Sequence, residues 1–174
     1  RRRQLFSLFG FGEELIALVL WPLFIILIIP NYFSLGLIIS FAMLVNVFAT
    51  LYIGRACDEG DRRMVLRSGT AFTVVSWILR PLALGGMGVI LLDSFYRVSR
   101  NMIGIPLVAS LYEQGRASSV TETVIFFEMA LSIGKILAGL LCLLALAVFP
   151  SPWPAIFFIA SAFTLLYAVG KKEG

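Results

Sequence analysis

The chain has 174 residues, 60% of them hydrophobic and only 14% charged, with 14 Lys and Arg against 10 Asp and Glu and no histidine. Soluble domains carry about 25% charged residues, so a mean hydropathy of +0.97 places this chain in a lipid bilayer. A net charge of +4 then reflects loop topology and excludes a nucleic-acid surface, because the basic residues are spread over separate loops and form no patch.

A hydrocarbon core of about 30 Å takes about 20 helical residues, and six apolar stretches supply them. Arg1 to Arg3 form a basic lead-in with no small-residue cleavage site after the apolar stretch that follows, so it is not a removable signal. Opening on Arg and not Met suggests a fragment or a processed product. Span one covers about 14–29, and its Trp21-Pro22 step should distort the helix, because Pro22 has no N–H to give. Glu13 and Glu14 fall at its membrane interface. After the turn at Pro30, Asn31 and Tyr32, span two covers about 33–53 and carries Asn46, suited to an interhelical hydrogen bond. A charged loop, Gly54 to Arg63, leads to span three, about 68–88, with Thr73, Ser76 and Arg80. Gly85-Gly86-Met87-Gly88 reads as the next outside turn.

Span four, about 90–112, holds Asp93, Arg97, Arg100, Asn101 and Gly104 within about 100° of one another, one polar stripe. Ser119 with Glu122 three residues on is a capping-box pattern that starts span five, about 120–148. There Glu128 and Lys135 share a face, and Ala130, Gly134 and Ala138 make a second face of small residues for close helix packing. Pro150 to Pro154 is an uncharged turn before span six, about 155–169, with Trp153 placed for the interface and Lys171-Lys172 beyond the span. Cys57 and Cys142 fall in a loop and in a span, which argues against a disulfide.

The basic residues test this topology. Of the 14 Lys and Arg, Arg1 to Arg3, Arg55, Arg62, Arg63, Arg67, Arg116, Lys171 and Lys172 fall in segments on one side, Arg80, Arg97, Arg100 and Lys135 fall inside spans, and the opposite turns hold none. Positive charge collects on the cytoplasmic side, so the expectation is an all-α, multi-pass protein of a plasma or bacterial inner membrane. Its six spans would form one domain over 1–174, with both termini cytoplasmic.

The loop from Gly54 to Arg63 also resembles the signature loop of the major facilitator superfamily, Gly-x-x-x-Asp-Arg-x-Gly-Arg/Lys-Arg/Lys, which joins the second and third spans of a transporter half. Gly54, Asp58, Arg62 and Arg63 are in register, while Glu59 and Asp61 stand at the first Arg and second Gly positions. The resemblance implies one six-helix half of such a transporter, the C-terminal half on its basic lead-in and Lys-rich tail. Substrate would lie near the midplane between this half and a second half or another copy. It also implies that Asp58 is a cytoplasmic latch, its carboxylate meeting a helix N-terminus of the other half.

Charge buried in hydrocarbon is costly and usually faces an interior or a cavity. The candidates for a substrate or ion pathway are therefore Arg80, Asp93, Arg97, Arg100, Asn101, Glu128 and Lys135. Depth along the helices pairs Arg100 with Glu128 and sets Asp93 against Arg97 or Lys135. The leftover positive charge would meet acids of the missing half, water, or an anionic solute. No catalytic residues, metal or cofactor are expected. Alternatives to transport are a membrane scaffold or assembly domain, and a lipid-modifying enzyme whose Asp-rich motif this loop matches poorly in spacing.

Overall fold

A computed structural model describes residues 7–29, 31–83, 85–117 and 119–169, so the expectations for Arg1 to Arg3, Pro30, Lys171 and Lys172 lie outside the described residues. The chain is all-helical there. Six helices follow one another: α1 (Ser7–Ile28), α2 (Tyr32–Glu59), α3 (Arg62–Leu79, prolonged by a 3-10 turn at Arg80–Leu82), α4 (Gly85–Ala117), α5 (Val120–Val148) and α6 (Trp153–Val169). Short connections make successive helices antiparallel. The two ends of the described chain accordingly meet at one end of the bundle, where the Ser7 hydroxyl donates to the Tyr167 carbonyl at 3.4 Å.

Three of the helices start where a side chain satisfies the free N–H groups of the first turn. Asn31 accepts from Phe33 and Ser34 at the head of α2, Asp61 from Arg63 at the head of α3, and Ser119 from Glu122 at the head of α5. The expected ten-residue loop shrinks to Gly60 and Asp61. The helical ladder satisfies backbone groups without needing an apolar side chain, so α2 runs on through Gly54 and Asp58 into its charged tail. The expected glycine turn is displaced too. Gly85 has a φ of 71°, which a side chain would strain, and it opens α4, so that Gly86, Met87 and Gly88 are already helical.

Helix α4 packs along α2 and α3, α3 along α6, and α1 along α5. The small-residue face of α5 is the one α1 uses: Ala130, Gly134 and Ala138 are buried. A Cβ on Gly134 would stand 2.6 Å from the Phe9 carbonyl oxygen, and one on Gly12 would stand 2.6 Å from the Gly134 carbonyl oxygen. The two backbones touch.

The distortion expected at Trp21-Pro22 takes a particular form. Residues Ile16–Leu20 make a π turn in which the Trp21 N–H reaches the Ile16 carbonyl, five residues back. Such a turn absorbs one extra residue into a helix. Glu13 and Trp21, eight residues apart, would diverge by about 80° on an uninterrupted α-helix; with the extra residue absorbed they fall within about 20°. Both side chains thus enter the same interior.

By length and composition, α1, Ile39–Glu59 of α2 and α5 are apolar enough to cross a membrane, and Trp153–Ala168 is apolar but shorter. Helices α3 and α4 carry charges that keep them from standing out as spans.

Candidate functional site

Arg80 of α3 and Asp93, Arg97 and Arg100 of α4 turn inward and converge with α1 and α5 on one layer between two apolar clusters, while the charges at the start of α3 and the end of α4 stay exposed. One cluster, including Leu8, Phe11, Ile103, Ala130 and Tyr167, lies toward the chain ends. The other, including Ile16, Trp77, Val89, Cys142 and Phe157, fills the opposite side.

Glu13 is fully buried at the centre of this layer. Its Oε2 accepts from Trp77 Nε1 at 2.9 Å and from the Tyr96 hydroxyl at 3.0 Å. Its Oε1 lies 2.9 Å from Arg100 Nε, a charge contact without the alignment of a hydrogen bond. The Arg100 guanidinium also lies over Phe11 and Tyr167, with ring centroids 4.9 and 5.4 Å away. Next to it Glu14 takes Lys135 Nζ at 2.8 Å and stands 4.0 Å from Arg100 Nη2. Farther along α4, Asp93 accepts from Arg97 Nε at 2.8 Å and from Trp21 Nε1 at 2.9 Å. Every carboxylate in the layer has its own cation.

Arg80 differs. It is fully buried, and its guanidinium carbon sits 3.6 Å from the Trp77 ring centroid, 4.0 Å from that of Trp21 and 4.4 Å from that of Tyr96. Those same rings donate to Glu13 and Asp93, which makes them richer in electron density toward the cation they enclose. Among the described residues, no hydrogen-bond acceptor meets Nε, Nη1 or Nη2 of Arg80. The hydroxyls of Ser76 and Thr73, one and two turns back on the same face of α3, are likewise buried without a partner there.

Of the residues singled out by sequence, Arg80, Asp93, Arg97, Arg100 and Lys135 come together here, and the Asp93–Arg97 pairing is as expected. The Arg100–Glu128 pair is not formed: Arg100 pairs with Glu13, and Glu128 is exposed. Gly134 turns its face to α1, and Glu128 lies about 120° around α5 from it. Asn101 is outside the layer. Its Nδ2 donates to Asn46 Oδ1 at 2.8 Å and Thr50 Oγ1 at 2.7 Å, which fastens α4 to α2 in the manner expected of Asn46.

The residues of the charged α2–α3 turn lie at the end of the bundle where the two ends of the described chain meet. Asp58 is exposed in the last turn of α2, Arg63 is exposed at the start of α3, and Gly54 is half-buried within α2. Arg62 Nη1 bonds Glu113 Oε1 at 2.6 Å, bracing the head of α3 against the tail of α4. The hydrogen bond and charge of Glu113 hold the Arg62 pKa above the ordinary arginine value.

Glu13, Glu14, Trp21, Trp77 and Tyr96 were missed as site residues. A span one that starts at residue 14 puts the two acids at the interface. The signal was present: Phe6 to Gly12 is apolar apart from Ser7, so counting from there sets Glu13 nearly two turns inside. Trp153, expected at an interface, packs into an aromatic cluster, 5.0 Å from Phe24 and 6.4 Å from Phe157 between ring centroids. Among the described residues, no three His, Cys, Asp or Glu side chains are grouped to hold a metal. No protein-family model, curated protein or solved structure matches the chain.

Proposed function

We propose that this chain is a membrane transport domain, one six-helix half of a secondary transporter of the major facilitator kind, working by alternating access on a small solute. The observation that carries this reading is the buried layer of ion pairs joining α1, α4 and α5. Each ion costs from about 2.5 to more than 10 kcal/mol in hydrocarbon, and a scaffold needs none of them. Pairs such as Arg100–Glu13 and Lys135–Glu14 tie α1 to α4 and α5 by contacts that can break and re-form, as an alternating domain requires. In this reading all six helices cross a plasma or bacterial inner membrane with both ends cytoplasmic. Exposed Asp58 is then free to latch onto a helix N-terminus of a second half or a second copy. A lone half offers one wall of a midplane cavity, so activity belongs to the assembled pair.

The test is counterflow in proteoliposomes preloaded with unlabelled solute, run over a panel of radiolabelled carboxylates, sugars, amino acids and inorganic anions. Transient accumulation of at least one solute, abolished in Arg100→Ala protein that still inserts and assembles, is expected. No counterflow across the panel by the assembled protein would leave the scaffold reading in its place.

A further inference from the structure

The charge layer closes its own account except at one residue. Arg97 has Asp93, Arg100 has Glu13 and Lys135 has Glu14, whereas Arg80 has three aromatic rings and no acid in contact. Glu13 and Asp93 are bonded to those rings and make no contact with the Arg80 nitrogens. Rings stabilise a guanidinium through its face. They leave its N–H edge unanswered, and that edge carries five donors in a fixed fork suited to an anion. A side chain on a helix leans toward the N-terminus, so Arg80 points back over Trp77 and toward the turn that presents the unpartnered Ser76 hydroxyl. A buried cation with free donors, one helical turn from a free hydroxyl, is the donor set of an anion site.

We propose that Arg80, with the Ser76 and Thr73 hydroxyls behind it, is an occluded seat for one small monovalent anion, a halide or a short carboxylate. One unmatched positive charge sets the valence. Arg80, Ser76 and Thr73 are wholly inaccessible in this arrangement, so an anion enters only when α1 parts from α3 and α4, and enclosure by Trp21, Trp77 and Tyr96 favours a small one. The seat deepens the transport reading by naming a solute class, and it is tested by binding alone. A protein that binds the anion and moves nothing keeps the seat and loses the transport reading.

Bromide is the probe, because it quenches indole fluorescence on contact and Trp21 and Trp77 both touch the seat. The chain has three tryptophans, so a Trp153→Phe background leaves only these two. In nanodiscs, with ionic strength held constant by sodium gluconate, bromide should quench along a saturable one-site curve. Acetate that displaces bromide identifies a carboxylate seat, and acetate that does not identifies a halide seat. Arg80→Gln should weaken the apparent affinity by about tenfold or more. Quenching that stays linear in bromide and is identical in Arg80→Gln overturns the proposal. Should Arg80→Gln fail to fold, the unaltered protein decides: bromide-soaked crystals measured at the bromine absorption edge show an anomalous peak beside the Arg80 guanidinium, or the seat does not exist.

Discussion

Glu13 is the residue on which most of the buried layer depends, since it answers the Trp77 N–H, the Tyr96 hydroxyl and the Arg100 charge together. Removing it strands a buried cation and two donors. Breaking one partner of a buried pair costs about 3–5 kcal/mol, so Glu13→Ala should lower unfolding stability in detergent by that order. Glu128→Ala, which removes an exposed carboxylate, should stay within about 0.5 kcal/mol. A double-mutant cycle on Glu13 and Arg100 should return a coupling clearly above zero. If Glu128→Ala proves as costly as Glu13→Ala, the assignment of Arg100's partner is wrong. The sequence made the four cations and Asp93 conspicuous because charge inside an apolar run needs no geometry to be noticed. Pairing was harder to read: depth along two helices gives a level but not a direction, and Glu128 has the level of Arg100 while pointing elsewhere.

Among the elements, α1 and α5 are held by backbone contact, and glycine is what permits it. Gly134→Ala would drive a methyl to 2.6 Å from the Phe9 carbonyl oxygen, forcing the helices apart at a cost of about 1–3 kcal/mol. Gly36→Ala on α2 meets nothing within 4 Å and should stabilise by up to about 1 kcal/mol through helix propensity alone. Thermal unfolding of the two variants side by side checks this, and equal shifts would sink it. The four-residue spacing of Ala130, Gly134 and Ala138 made the α5 face legible, but which helix docks there depends on Gly12, a single residue without period. The π turn was illegible for a related reason: a 3.6-residue period assumes that no residue is absorbed. Deleting exposed Leu18 from the turn should therefore turn it into plain α-helix while keeping Glu13 and Trp21 in phase. The buried Trp21 emission should be retained, whereas inserting an alanine at the same place should expose it to quencher.

At the scale of the whole molecule, the number and order of helices could be read from six apolar runs. Their ends could not, because a helix continues past its apolar run as long as its backbone bonds are made, whatever side chains it carries. Labelling from one side decides whether α3 and α4 cross. Hydropathy selects α1, α2 and α5, while the charges that disqualify α4 are turned inward and paired, so the lipid need not meet them. The two possibilities separate at the α3–α4 turn. If all six helices cross, that turn is on the outer side, opposite Asp58 and Arg116. If α3 and α4 instead lie on the cytoplasmic surface, the three positions share one side. Met87 is 69% exposed just inside α4 and makes the reporter. The native thiols are quiet background, as Cys57 is only 4% and Cys142 only 3% exposed. In intact cells Met87→Cys and Ser151→Cys should react with a membrane-impermeant maleimide, and Asp58→Cys and Arg116→Cys should react only after permeabilisation. A Met87→Cys protein that labels together with Arg116→Cys would remove α3 and α4 from the membrane, and with them the buried layer as a feature of a transport path. Labelling on the outer side would mean that four inward-facing cations cross within the bundle, which an apolar lipid tolerates only when each has a partner, and among the described residues Arg80 alone of the four has no carboxylate in contact.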